Sequence, residues 1–133
     1  MDKYKANQEI AREKNHECYV LGCKAYDANE FHKAITLFKE SLEYWPEDPQ
    51  AWMALGNCYS EIKRYKKAEK SYRQALAYSG NQEKENILFN LGNSLFDQGQ
   101  YSEAIGCYEL IKPGTELWRK AKRNVELSNN RNL

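Results

Sequence analysis

The middle of the chain reads Trp52-Met53-Ala54-Leu55-Gly56-Asn57-Cys58-Tyr59, and Ala68 and Tyr72 follow further along. These large, small and aromatic positions suit a helix that packs closely against a second, antiparallel helix. Glycine inside a helix costs roughly 0.5–1 kcal/mol relative to alanine. A helix accepts that cost where a neighbouring helix must come very near, so Gly56 predicts a close helix–helix contact, with Ala68 as the small partner residue.

The same pattern occurs three times. Gly22 stands 34 residues before Gly56, and Gly92 stands 36 residues after it. The flanking residues recur in the same frame: Cys18, Leu21, Ala25, Ala34 and Phe38 in the first copy, and Leu88, Leu91, Leu95, Ala104 and Tyr108 in the third. Because one helix pair cannot bury its own apolar face, three copies predict a stack of helix pairs.

From about His16 to Lys112, the pattern resembles the tetratricopeptide repeat family. The middle copy matches the family signature W-x-x-L-G-x-x-Y…A-x-x-x-F throughout, with Tyr72 in place of the phenylalanine. The resemblance implies an all-α protein, a right-handed α-solenoid of three helix-turn-helix pairs with a C-terminal capping helix. It also implies that the first helix of each pair lines a concave face.

The repeat frame divides the chain into six segments. They are an N-terminal helical extension (1–14), three repeats (15–48, 49–82 and 83–114), a capping helix (115–128) and a disordered tail (129–133). The extension either lengthens the first helix or forms a separate turn. Asp48 is predicted to cap the helix that begins at Pro49, and Thr115 to cap the last helix. Gly80 is expected to adopt the left-handed conformation after the second repeat.

Composition excludes several classes of protein. The 133 residues carry 20 Lys and Arg against 19 Asp and Glu, a balance that argues against a whole-molecule nucleic-acid or membrane binder. An apolar fraction of 41% is too high for a disordered chain. Residues 1–17 contain no signal-peptide core, and no apolar run approaches a membrane span. We therefore expect a cytoplasmic protein.

Neither catalysis nor a metal site is expected. Cys18 and Cys23 lie about 140° apart on a helix, and His16 with Cys23 alone is too small a ligand set for zinc. The cysteines are instead predicted to be buried free thiols. The chain has no Gly-rich phosphate loop, no G-x-S-x-G and no H-E-x-x-H, and neither histidine has a nucleophile partner in view. The sequence predicts no enzyme activity, no cofactor and no small-molecule substrate.

The resemblance implies a peptide-binding groove on the first helices. Its candidate residues are Tyr19, Cys23, Tyr26, Met53, Asn57, Phe89, Asn90, Asn93 and Phe96. The large apolar side chains either contact a partner or complete the packing between first helices. The asparagines either hold the backbone of an extended peptide or make local structural hydrogen bonds. The positions where chaperone-binding members carry a basic carboxylate clamp hold Tyr19, Cys23, Ala54, Asn86 and Asn90 here, so we predict no clamp.

Three hypotheses for function remain. The first is a scaffold or adaptor, chaperone-like in size, that binds a protein or peptide as a monomer or weak homo-oligomer. The second is a self-assembling scaffold. The third is a binder of acidic or phosphate-rich surfaces through a basic face, where Lys63, Arg64, Lys66, Lys67, Lys70 and Arg73 cluster. Such a charge run is also what an ordinary solvated helix face looks like. Nucleic acid is not the expected partner.

Overall fold

A computed structural model describes residues 3–131, and its regular structure in that range is entirely α-helical. The predicted all-α fold is therefore confirmed. The seven helices are α1 (Lys3–Asp27), α2 (Phe31–Tyr44), α3 (Pro49–Glu61), α4 (Tyr65–Tyr78), α5 (Asn81–Asp97), α6 (Tyr101–Tyr108) and α7 (Glu116–Arg131).

The helices form three pairs, α1–α2, α3–α4 and α5–α6, and α7 packs on the last pair. Each first helix also contacts the next first helix, from α1 through α3 and α5 to α7. The backbones of α2 and α4, and those of α4 and α6, do not approach each other in this way. The first helices therefore form the tighter, inner layer of the solenoid and the second helices the outer layer, which matches the side expected for the groove.

Three close contacts hold the pairs together. A Cβ built on Gly22, Gly56 or Gly92 would lie 2.6 Å from a ring carbon of Phe38, Tyr72 or Tyr108, respectively. The three alanines of the second helices, Ala34, Ala68 and Ala104, have no exposed surface. The small residues are thus required where each aromatic ring of a second helix crosses its own first helix.

The turn inside each pair contains one residue with positive φ, at the same repeat position each time: Asn29 (60°), Lys63 (62°) and Gly99 (80°). The following residue donates its N–H back to the first helix, as Glu30 does to the Ala25 carbonyl oxygen at 2.8 Å.

The expectation that Gly80 adopts the left-handed conformation is wrong. Its φ is −83°. It precedes α5, and its N–H donates a hydrogen bond to Glu83 Oε2 at 3.4 Å.

Both predicted caps are confirmed. Asp48 Oδ1 accepts from the Gln50 N–H at 3.0 Å, and Pro49 opens α3. Thr115 Oγ1 accepts from the Trp118 N–H at 3.0 Å. Each side chain satisfies one of the donors that the first turn of a helix leaves without an intrahelical partner.

The ends of the chain are more helical than expected. Residues 3–14 continue α1 without a break, so the extension lengthens the first helix and its described part does not fold back into the groove. At the other end, residues 129–131 belong to α7, so the predicted disorder is wrong for them. Residues 132 and 133 lie outside the described residues. Ser128 is completely buried, and this anchors the last turns of α7 against the third pair.

Candidate functional site

Three adjoining cavities follow the inner layer of helices. Their volumes are about 240, 150 and 190 Å³. Tyr19 lines the first and the second, and Tyr26 and Asn57 line the second and the third. The cavities therefore neighbour one another through shared side chains, and we call the three together the inner groove. Its remaining lining includes His16 at the first end, Ala54 in the middle, and Ser60, Glu61, Asn90 and Asn93 at the other end.

Six of the nine candidate residues line this groove: Tyr19, Cys23, Tyr26, Asn57, Asn90 and Asn93. Met53, Phe89 and Phe96 line none of the three cavities and pack, half-buried, against the core. The Phe96 ring lies 5.2 Å from the Tyr101 ring, and the Arg131 guanidinium stands 5.0 Å over it. Its surroundings favour a packing role for Phe96.

The two tyrosines of the groove are held in place by rings beneath them. Tyr19 lies 5.7 Å from the Phe38 ring, and Tyr26 packs edge-on against Phe31 at 5.4 Å. The Tyr26 hydroxyl donates to Glu61 Oε1 at 3.3 Å. Burial, helped by the nearby Cys23, raises the pKa of Tyr19 to about 12. Burial, followed by the nearby Glu61, also raises the pKa of Tyr26. Both phenols therefore stay neutral, as half-exposed apolar surfaces with a polar edge.

The asparagines of the groove make structural hydrogen bonds in two clusters. Asn57 Oδ1 accepts from the Tyr72 hydroxyl at 2.6 Å and from Asn90 Nδ2 at 3.4 Å. Asn93 Oδ1 accepts from the Tyr108 hydroxyl at 2.6 Å, and α7 adds Asn124 Nδ2 at 3.1 Å. The carbonyl ends of Asn57 and Asn93 therefore satisfy buried tyrosines.

The same amides also keep free ends. Among residues 3–131, no hydrogen bond engages Nδ2 of Asn57 or Asn93, or Oδ1 of Asn90. No buried side-chain nitrogen or oxygen in that range lacks a partner, so these free atoms are accessible to solvent. Each amide thus supports the fold with one end and leaves the other end free to form a hydrogen bond.

A signal in the sequence could have revealed the clusters. Each second helix carries an aromatic residue that packs on the glycine of its first helix. The residue 15 positions before it is asparagine where the aromatic is tyrosine and cysteine where the aromatic is phenylalanine. Tyr72 and Tyr108 face Asn57 and Asn93, whereas Phe38 stands 15 residues after Cys23. A phenol buried against the first helix needs an acceptor, and a phenyl ring needs none. Asn124 in α7 carried no comparable signal and was missed.

A further polar cluster lies at the first end of the groove. Asn15 Nδ2 reaches Ser41 Oγ at 2.8 Å and Asp48 Oδ2 at 3.2 Å, and Ser41 Oγ donates to the Asn15 carbonyl oxygen at 2.9 Å. All three residues are buried. The cluster joins α1 and α2 to the residue that caps α3.

The charges along the groove are acidic. Its acidic lining residues are Asp27, Asp48, Glu61 and Glu83, one histidine (His16) stands at the first end, and no lysine or arginine is among the residues that line the three cavities. A basic clamp for carboxylates would need such side chains at this surface.

The thiols are poorly suited to nucleophilic or ligand chemistry. Burial raises the pKa of Cys58 to about 12 and also raises the pKa of Cys18, Cys23 and Cys107. All four are free cysteines. Within residues 3–131, no group of three or more His, Cys, Asp and Glu side chains could hold a metal ion. No helix of that range is long and apolar enough to cross a membrane.

Comparisons with known proteins agree on one family. Family models described as tetratricopeptide repeat match residues 19–86 and 85–111. Among curated proteins, Superkiller protein 3 of Schizosaccharomyces pombe is 40% identical over 55 residues. That match covers 41% of this chain but 4% of the relative, so the chain spans a small part of that protein's length.

Three solved structures illustrate the likeness in fold. The Yersinia enterocolitica type III secretion chaperone SycD, in complex with a peptide of the translocator YopD, aligns with a TM-score of 0.82 at 20% identity, over 94% of this chain and 99% of that one. The first TPR domain of Spaghetti (RPAP3), bound to an HSP90 peptide, aligns with a TM-score of 0.80 at 18% identity, over 90% of this chain and 93% of that one. The TPR2B domain of yeast Sti1, in an Hsp70 complex, aligns with a TM-score of 0.79 at 11% identity, over 89% of this chain and 98% of that one.

Proposed function

This chain belongs to the tetratricopeptide repeat family, and we propose that it is a scaffold that binds a segment of a partner protein along its inner groove. One observation carries the proposal. The cavities of the groove follow one another along the inner layer, and the asparagines on them keep unbonded amide atoms accessible to solvent while their other ends hold the fold. The similar structures named above were solved with peptides or partners, which supports an interaction role rather than an enzymatic one.

The groove suits an extended segment. Nδ2 of Asn57 and Asn93 can donate to backbone carbonyls of the ligand, and Oδ1 of Asn90 can accept from a backbone N–H. Each such bond contributes about 0.5–1.5 kcal/mol net. The half-buried rings of Tyr19 and Tyr26 provide apolar area for alternate side chains. Backbone bonds then supply affinity, and the tyrosines supply selectivity.

The partner segment should not be an acidic C-terminal tail. Chaperone-binding members of the family hold the carboxylates of such tails with basic side chains, and no lysine or arginine lines the inner groove. The acids Asp27 and Glu61 would repel them instead. We propose a neutral or basic internal segment as the ligand.

We expect Ala54→Arg to weaken ligand binding at least about tenfold. Ala54 lines the middle cavity beside Tyr19 and Cys23 and packs half-buried against the core, so a long side chain there fills the groove while the Cβ stays in place. Ala77→Arg makes the same change on an exposed position of α4 and is the matched control. Peptides selected from a displayed library on the wild-type protein would be measured by fluorescence anisotropy, with helicity checked by circular dichroism.

The two variants separate the outcomes. A tenfold loss in Ala54→Arg with no change in Ala77→Arg supports the groove. Peptides that bind both variants like the wild type, or a library that returns no groove-dependent peptide, contradict the proposal.

The self-assembling scaffold is a second candidate because Leu21, at a position that is buried in the other two repeats, is uncovered in the first. Leu21 is 50% exposed, whereas Leu55 and Leu91 at the same repeat position are 3% and 1% exposed. In the second and third pairs, a preceding second helix packs against the first helix, as α2 does on α3 and α4 does on α5, whereas no helix precedes α1 among residues 3–131. Another copy of the chain could cover it in the first.

This candidate predicts concentration-dependent mass in sedimentation equilibrium, and conversion to monomer by Leu21→Arg. A charged residue at an exposed position leaves the fold intact, but it cannot be buried in an interface without a partner. A wild type that stays monomeric at high concentration would rule the candidate out.

A further inference from the structure

A larger cavity lies on the opposite side of the solenoid. It has a volume of about 550 Å³ and is lined by side chains of the outer helices α2 and α4 and of α3 between them. Its apolar lining is formed by Leu42, Trp52, Leu55 and Tyr59. Lysines of two different helices stand around it: Lys39 on α2, and Lys67 and Lys70 on α4. We call this feature the lysine groove.

Two of these lysines converge on one aromatic ring. Lys39 Nζ lies 6.0 Å, and Lys67 Nζ 5.7 Å, from the centroid of Tyr59. Attraction to the ring faces holds both ammonium groups near the cavity. Neither of them forms an ion pair with any residue of 3–131. Glu43, the single acid of the lining, forms no ion pair with either of them.

The next groove along the solenoid provides an internal comparison. Arg73 and Glu103 occupy the repeat positions of Lys39 and Lys67 there, between α4 and α6. They form an ion pair at 3.4 Å, and Glu69 contacts Arg73 at 2.9 Å. One groove is thus bridged by opposite charges, whereas its neighbour holds like charges that repel each other across an apolar floor. An anion placed between Lys39 and Lys67 would supply the missing charge.

We infer that the lysine groove binds an acidic peptide segment, with a carboxylate between Lys39 and Lys67 and an adjacent apolar side chain on Trp52 and Leu42. A peptide matches both halves of the site, because it can present a carboxylate and an aliphatic side chain within one or two residues. A bare phosphate polymer would meet the lysines but leave the apolar floor uncovered. This site is separate from the inner groove, so the chain could hold two segments at once.

The probe for the test is a short labelled peptide in which glutamates alternate with leucines, and the same peptide with glutamine for glutamate. We expect the acidic peptide to bind about tenfold tighter at moderate salt, since charge-assisted bonds are stronger than neutral ones. Lys67→Glu should reduce that binding about tenfold or more, because it creates the opposite-charge pair found in the neighbouring groove. Lys66→Glu is the matched control. It makes the same change of charge at the neighbouring exposed lysine, which does not line the lysine groove, and should retain most of the binding.

Several results would overturn the inference. They are equal binding of the two peptides, equal loss in Lys66→Glu and Lys67→Glu, or no binding of the acidic peptide. Single-stranded RNA or phosphatidylserine vesicles that displace the peptide and bind more tightly, with the same dependence on Lys67, would assign the site to phosphates. Ala54→Arg should leave acidic-peptide binding unchanged, so failure here is distinguishable from failure at the inner groove.

Discussion

Gly56→Ala is expected to lower the free energy of unfolding by about 2 kcal/mol, although alanine is the better helix former. The new methyl group would lie 2.6 Å from Tyr72 Cε1 and 2.7 Å from Cδ1. The ring has little freedom to move away. Tyr72 is 2% exposed and its hydroxyl is fixed to Asn57 at 2.6 Å. The two helices must separate or the hydrogen bond must break, and either change outweighs the gain in propensity.

Gly106 is the matched control. It lies inside α6, its φ is not positive, and nothing stands within 4 Å of a Cβ built on it. Gly106→Ala should therefore stabilise the protein by about 0.5–1 kcal/mol through helix propensity alone. Equilibrium urea unfolding of both variants, followed by circular dichroism, measures the difference. If Gly56→Ala stabilised the protein as Gly106→Ala does, the close approach of α3 and α4 would not be a constraint.

Asn57→Cys is expected to cost about 1–3 kcal/mol, because the buried Tyr72 hydroxyl loses its acceptor. The first repeat indicates how the loss can be repaired. It carries Cys23 and Phe38 at the same two positions, with no hydroxyl to satisfy. Asn57→Cys combined with Tyr72→Phe should therefore recover most of the lost stability.

A double-mutant cycle in urea measures this coupling, which contacting residues typically show at about 0.5–3 kcal/mol. If the double variant lost as much free energy of unfolding as the two single variants together, the hydrogen bond would contribute nothing to the stability of the fold. The repaired double variant has a further use. It keeps the packing but removes one amide from the inner groove, so its peptide affinity reports the ligand role of Asn57 separately from its structural role.

Much of the architecture was predictable from local chemistry. The repeated glycine and alanine positions indicated close helix pairs, and the caps at Asp48 and Thr115 followed from side chains that bond to their own first turn. The left-handed turns were missed because Asn29 and Lys63 are not glycines. Their conformation follows from closing a tight turn between packed helices, and Gly80 stands where no such turn closes.

The candidate site was predictable only in part. The side of the solenoid and six of the nine groove residues followed from the repeat frame. The double role of the asparagines did not, because it depends on which atom of each amide a tyrosine of the facing helix engages. Similarly, the run from Lys63 to Arg73 reads as one basic stretch. Packing divides it, since Arg73 pairs with two glutamates while Lys67 stays unpaired above Tyr59.

The sequence by itself determined that this chain forms a stack of three helix pairs and a capping helix, because a repeated pattern of small and aromatic residues can bury its surface in no other simple way. The tertiary structure alone decided which polar groups are used up by the fold and which remain free. A hydrogen bond or ion pair between helices depends on distances between residues some 30 positions apart, such as Asn93 and Asn124 or Arg73 and Glu103. Those distances exist only once the helices have packed.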